Sequence, residues 1–122
     1  MTPAQTLKKA EATAKREALE SLMAQHLKAE RIEFEQQAAF WPGRKWRLDF
    51  LIGRYSSKAL AIEVHGGTWS GGRHVTGKGI EGDCEKAAHA VIAGIRLMAV
   101  TGDQVKSGQA IAWVKQAMGA AA

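Results

Sequence analysis

Trp46-Arg47-Leu48-Asp49-Phe50-Leu51-Ile52 and Ala59-Leu60-Ala61-Ile62-Glu63-Val64-His65 are the two runs that decide the fold. Each alternates apolar and other residues with the period of a strand. The polar link between them, Gly53 to Lys58, is of hairpin-loop type. Leu48, Phe50 and Ile52 share one face of the first arm, and Leu60, Ile62 and Val64 share one face of the second. These faces read as buried. The opposite faces carry Arg47, Asp49 and Leu51, and Ala61, Glu63 and His65. A hairpin centred on Ser56 sets Asp49 opposite Glu63, with Cβ atoms about 5 Å apart. Like charges so placed repel, so a cation is expected between them. A divalent metal is the economical choice.

Outward from the hairpin, the elements follow in order. Pro3 to about Glu30 reads as one long helix, Ala- and Lys-rich to Arg16 and amphipathic beyond, through Leu19, Leu22, Met23 and Leu27. Residues 1–16 are accordingly expected as a helical extension, and 17–122 as the domain proper. Glu17 and Glu20 lie near the apolar stripe, and on such a helix a glutamate is ordinarily solvated. Ile32 to Phe40 alternates as a strand, and Trp41-Pro42-Gly43-Arg44 has the residues of a type II turn leading into Trp46. Arg44, Lys45 and Arg47 interleave with Trp41 and Trp46. Such a mixture either holds phosphates and stacks on bases or caps the edge of the core. Trp46 reads as a cap; Trp41 stays open between the two.

After the hairpin, residues 66–79 hold six glycines together with Trp69, Arg73, His74 and Lys78. No regular element tolerates that many glycines. Loops leaving a rigid strand commonly carry function, and amides with cations suit a phosphate backbone. A plain linker is the alternative. The Walker spacing of a P-loop is absent. Ile80 to Ala93 reads as a helix with Ile80, Cys84, Ala87, Ala88 and Val91 inward, and Lys86 off the centre of that stripe. Gly94 ends it, Ile95 to Thr101 reads as an apolar strand, and Val105 to Met118 as a last helix with Val105, Ile111, Val114 and Met118 inward. A crossover helix between strands implies parallel pairing. The expected fold is therefore α/β, a mixed sheet flanked by helices.

Length and composition bound the function. The 122 residues suit one domain, and 46% apolar with 24% charged residues is ordinary for a globular chain. No apolar run approaches the ~20 residues of a membrane span, and no signal-peptide core is visible. A cytoplasmic location is the default. The single cysteine, Cys84, excludes an internal disulfide and a Cys-based zinc site. The net charge of +5 fits a polyanionic partner or simply a basic surface. An acidic hairpin inside a basic chain is what a metal site holding a phosphate requires.

The αβββαβ order, with an acid on the second strand and another on the third, resembles the PD-(D/E)XK nuclease superfamily and its restriction-endonuclease-like core. The string Glu63-Val64-His65-Gly66-Gly67-Thr68-Trp69-Ser70-Gly71-Gly72-Arg73-His74, with Asp83-Cys84-Glu85-Lys86 after it, is similar to small phage and prophage nuclease-like proteins. These are related to the very-short-patch-repair-like and VRR-NUC branches. The resemblance covers roughly residues 17 to 118. It implies a phosphodiesterase using Mg²⁺ or Mn²⁺. Asp49 and Glu63 match the metal-binding acids, the Val64 carbonyl a further ligand, and Glu20 the acid such nucleases often carry on the first helix. His65 stands where the superfamily has its lysine. Either Lys86 replaces that lysine from the helix, or His65 ligates metal or positions water, or the domain binds DNA without cutting it.

The catalytic set is then Glu20, Asp49, Glu63, His65 and Lys86. Arg44, Lys45, Arg47, Trp69, Arg73, His74 and Lys78 are the nucleic-acid-binding candidates. His26 and His89 read as structural. The expected function is a metal-dependent DNA endonuclease, directed by branched structure or by a partner because so small a domain leaves no room for a separate recognition module. Holliday-junction cutting favours a homodimer. The alternatives are a catalytically degenerate DNA-binding accessory protein and a hydrolase of small phosphoesters.

Overall fold

The computed structural model describes residues 1–65 and 77–119, without the side chains of 77 and 78. The elements run α1 (Pro3–Ala29), β1 (Glu35–Ala39), β2 (Arg47–Ile52), β3 (Leu60–His65), α2 (Gly77–Ile92), β4 (Arg96–Thr101), α3 (Gly102–Lys106) and α4 (Gln109–Ala117). The strands form one mixed sheet in the order β1-β2-β3-β4, which realises the α/β class. By packing the chain divides into two compact units.

The first unit contains α1, the end of β3 and the chain from Val100 onward. Thr2 caps α1: its hydroxyl accepts from the Gln5 amide at 3.2 Å, and the Gln5 side chain accepts from the Thr2 amide at 2.8 Å. Two otherwise orphaned donors are satisfied, and Pro3 supplies a helical φ at the first position. Leu19, Met23 and Leu27 are buried as the stripe predicts, and Ala24 joins them. The preceding turns are largely exposed. Glu20 is buried too, against the solvated state such a glutamate ordinarily adopts, and Arg16 Nε lies 3.9 Å from its carboxylate. α1 packs on α3 and α4. Gly102 permits that approach, since a Cβ there would sit 2.8 Å from a Leu19 methyl.

One expectation fails in this unit. The last helix is two: α3 and α4 are separated at Ser107 and Gly108. Gly108 takes a φ of +85°, which stops the first helix and re-aims the chain. α3 begins on a second capping box, Thr101 with Gln104. Val105 and Val114 are buried as expected, whereas Ile111 and Met118 are only half-buried.

The second unit holds β1, β2, most of β3, α2 and the start of β4. β2 and β3 are antiparallel, with Phe50 opposite Ile62, Leu51 opposite Ala61 and Ile52 opposite Leu60. This is the register a hairpin centred on Ser56 requires, and it sets Asp49 opposite Glu63 at the next position. β1 pairs with β2, with Gln36 opposite Phe50 and Ala38 opposite Leu48. Gly43 has a φ of +82° after Pro42, and the Arg44 amide donates to the Trp41 carbonyl at 3.3 Å, the type II turn predicted there. Both faces of the hairpin are buried, because Leu51 and Ala61 join Ala90 of α2 in one apolar cluster.

α2 corrects the second expectation. It begins at Gly77, so the glycine-rich stretch is helical from there. Residues 66–76 lie outside the described residues, and so do the predicted roles of Trp69, Arg73 and His74 and of the Lys78 side chain. Ile80, Cys84, Ala88 and Val91 are exposed instead of inward. The face toward the sheet is Lys86, His89 and Ala90, one turn apart. Partnered polar and aromatic contacts outweighed the apolar stripe, as the site below explains.

Arg54 ties the edge strand to the hairpin loop. Its guanidinium grips the Glu35 carboxylate through Nε and Nη2 at 2.7 and 2.9 Å, and Nη2 also donates to the Ala39 carbonyl at 2.7 Å. The hydrogen bond from Arg54 holds the Glu35 carboxyl below the usual carboxylate range. A depressed value stabilises the fold above the unfolded glutamate pKa, about 4.3, and the contribution is lost as pH falls through the folded value. Chemical denaturation of Glu35→Gln should therefore show a deficit at pH 7, under about 1 kcal/mol for so exposed a pair, that vanishes on the acid side of that window.

Candidate functional site

Asp49 lies on β2 at a position outside the paired residues of both ladders. On the β1 side the pairs run through Gln36 and Phe50, then resume at Ala38 and Leu48. On the β3 side they end at Phe50 and Ile62. The backbone amide of Asp49 donates instead to Oε2 of Glu63, at 3.1 Å. Lys86 reaches in from α2, and its Nζ lies 2.5 Å from Oε1 of the same carboxylate. Each oxygen of Glu63 thus accepts from a different element. Gln37 completes the row from β1, with Nε2 3.4 Å from Oδ1 of Asp49. Gln37, Asp49 and Glu63 form a transverse polar line across three strands, closed by the lysine.

The electrostatics follow from burial. The Glu63 side chain is only 14% exposed and that of Lys86 25%. Burial pushes the Glu63 carboxyl above its usual range; the Lys86 hydrogen bond opposes that push and the Asp49 charge adds to it. The cation that the facing acids demand is present, and it is an ammonium from the chain itself.

One turn of α2 is held by three such contacts. Glu85 pairs with Arg44 at 2.7 Å. Lys86 pairs with Glu63. The His89 ring lies against Trp41, centroids 4.5 Å apart, and against Trp46 at 5.0 Å. Trp46 stacks on Phe40, and the Arg44 guanidinium sits 3.9 Å from the Trp46 ring centre. Phe40, Trp46, Trp41 and His89 thus pack into one ring cluster. Arg44 pairs within the chain while remaining exposed, as Lys45 and Arg47 are.

Of the catalytic candidates, the structure brings Asp49, Glu63 and Lys86 together. Glu20, Val64 and His65 belong to the other unit. Val64 is buried, and His65 is half-buried at the end of β3. Among the described residues no group of three or more His, Cys, Asp or Glu side chains is arranged to hold a metal. Two carboxylates nevertheless suit Mg²⁺, which retains several waters and commonly takes one or two protein carboxylates. Gln37 was missed from sequence. Extending the Asp49 row across the first hairpin would have found it, but only with the five-residue connection from Trp41 to Lys45 assumed.

No known protein family, curated protein or solved structure matches the chain.

A double-mutant cycle on Glu63→Gln and Lys86→Met tests the pair. Each single change leaves a half-buried partner unsatisfied and should cost about 1–3 kcal/mol. The double change should cost less than the sum by about 1 kcal/mol or more. In Lys86→Met only the hydrogen bond from the Asp49 amide still opposes the upward push on Glu63. A raised folded value means that stability falls as pH rises from about 4.3 through the folded pKa, so this variant's stability should fall more steeply over that window than the wild type's.

Proposed function

We propose that the chain is a metal-dependent endodeoxyribonuclease with a PD-(D/E)XK-type, restriction-endonuclease-like core. The observation that carries this reading is the Asp49–Glu63 pair on adjacent strands with the Lys86 ammonium 2.5 Å from Glu63. Two acids and a lysine are the side chains such a hydrolysis needs, and here the lysine comes from α2. The element order through β4 supports the same core.

Asp49 and Glu63 would hold Mg²⁺ or Mn²⁺. The bound ion supplies Lewis-acid polarisation of the scissile phosphate and acidification of water. Lys86 orients the attacking water and donates to the charge that develops on the phosphate. Its pairing with Glu63 keeps the ammonium within reach of that charge before substrate arrives. Lys45 and Arg47, exposed at the start of β2, are suited to flanking phosphates, and the basic excess of the chain favours a polyanion. Branched DNA, cut by two copies with one site each, is the proposed substrate class.

A second reading has one observation in its favour. Lys86 neutralises the acid pair from within the chain, as a counter-ion does in a domain that binds DNA without cutting it.

Incubation with branched, single-stranded and duplex DNA in Mg²⁺, Mn²⁺ or EDTA separates the two. The first reading expects metal-dependent cleavage, lowered at least ~100-fold, or about 2.7 kcal/mol of barrier, by Asp49→Ala or Glu63→Ala. Lys86→Ala should lose turnover while retaining Mn²⁺ binding. Tight, salt-sensitive binding with no cleavage in either metal supports the second reading instead.

A further inference from the structure

The N-terminal half of α1 adds almost nothing to the core. Every residue from Pro3 to Ala18 is exposed except Thr13, which is half-buried. The buried residues of α1, Leu19, Glu20, Met23, Ala24 and Leu27, all lie beyond it. Isolated helices this short are marginal in water, yet the sequence is built to keep this one helical. The Thr2–Gln5 capping box and Pro3 start it. Ala4, Ala10, Ala12, Ala14 and Ala18 favour the helix, and Glu11 stands four residues before Lys15, the favourable order for such a pair. A segment held helical without a core to build serves to present its side chains.

What it presents is charge on one face. Lys8 and Lys15 are seven residues apart, and so are Lys9 and Arg16. At 3.6 residues per turn all four fall on one side of the helix, with Ala12 between the two pairs. Of the two acids in this half, Glu17 lies on the far side and Glu11 on the flank. Arg16 is paired with Glu20, its Nε 3.9 Å from the carboxylate. Lys8, Lys9 and Lys15 make no ion pair with any described residue.

We propose that the N-terminal half of α1 is a DNA-binding arm, whose Lys8–Lys9 and Lys15–Arg16 pairs contact the phosphate backbones on the two sides of a major groove. This takes DNA as the partner, as both readings above do, and is independent of the metal chemistry. Two turns of helix set the pairs about 10 Å apart, close to the ~12 Å width of the major groove of B-DNA, and the flexible lysine stems span the difference. Ala12 leaves the helix room to approach the groove. Double-stranded RNA suits the arm less, because its major groove is deep and narrow. A membrane also suits it less: opposite the cations stand Leu7, Ala10 and Ala14, without the large apolar and aromatic side chains that bury into lipid. The contacts are to phosphates, so the arm binds without regard to sequence.

Binding of the full chain to a short DNA duplex, followed by fluorescence anisotropy in EDTA over a KCl series, tests this. Lys8→Gln/Lys9→Gln/Lys15→Gln removes three cations of the arm with little change in helix propensity. Lys28→Gln/Lys58→Gln/Lys106→Gln lowers the net charge equally outside the arm. In the arm variant the slope of log affinity against log salt should become shallower by about 3, and affinity near 0.1 M salt should fall on the order of 100-fold. The second variant should keep a slope within about 1 of the wild type's. Arginine at positions 8, 9 and 15 keeps the charge and should bind as the wild type does. Equal losses in the two glutamine variants overturn the inference, because net charge alone then governs binding. Wild-type binding by the arm glutamine variant, or loss of binding by the arginine variant, overturns it as well. All three of these results leave DNA as the partner. No duplex binding by the wild type overturns the DNA reading and this inference together, and retention on phosphatidylserine vesicles in its place reassigns the arm to a lipid surface.

Discussion

A single carboxylate, that of Glu63, organises the second unit. It accepts from the Asp49 amide on one oxygen and from the Lys86 ammonium on the other. The first contact satisfies the Asp49 amide with a side chain of the neighbouring strand. The second brings a helix to the sheet. An ionised carboxylate this deeply covered is costly unless paired and hydrogen-bonded. Both conditions are met by groups from other elements, and this couples the hairpin to helix placement.

The consequence is a helix docked by polar and aromatic contacts more than by apolar burial. Ala90 is the fully buried residue among the described side chains of α2. Glu85, Lys86 and His89, within one turn, reach Arg44, Glu63 and the Trp41–Trp46 pair. The turn at Pro42 and Gly43 is thereby fastened to the same helical turn that delivers the lysine. A shift of α2 by one residue would break all three contacts together, so the position of Lys86 over the acids is specified by several independent groups.

The parts legible in the sequence are those governed by local periodicity. The hairpin register followed from alternation and loop length, and the facing of Asp49 and Glu63 followed from the register. The turn at Pro42 and Gly43 was legible because its φ requirement singles out glycine. The face of α2 was not. Its apolar stripe through Ile80, Cys84 and Val91 was the stronger local signal, and the deciding partners, Glu63, Arg44 and the tryptophans, are remote in sequence. The break at Gly108 was readable in principle: Thr101 with Gln104 is a capping box, and a glycine seven residues after the cap allows a stop. The apolar spacing that spans the break concealed it. The place of Gln37 in the Asp49 row could have been read from the first hairpin, but its left-handed backbone could not, because no residue pattern announces one inside a strand.

The chemistry attributed to the site depends on the two carboxylates accepting one ion while Lys86 stays beside them. Anomalous diffraction from crystals equilibrated with Mn²⁺ addresses this most directly. The account predicts a peak shared between the carboxylates of Asp49 and Glu63, with the Lys86 ammonium within hydrogen-bonding reach of the ion's waters. A peak elsewhere on the protein, or none between these acids at millimolar Mn²⁺, would contradict it.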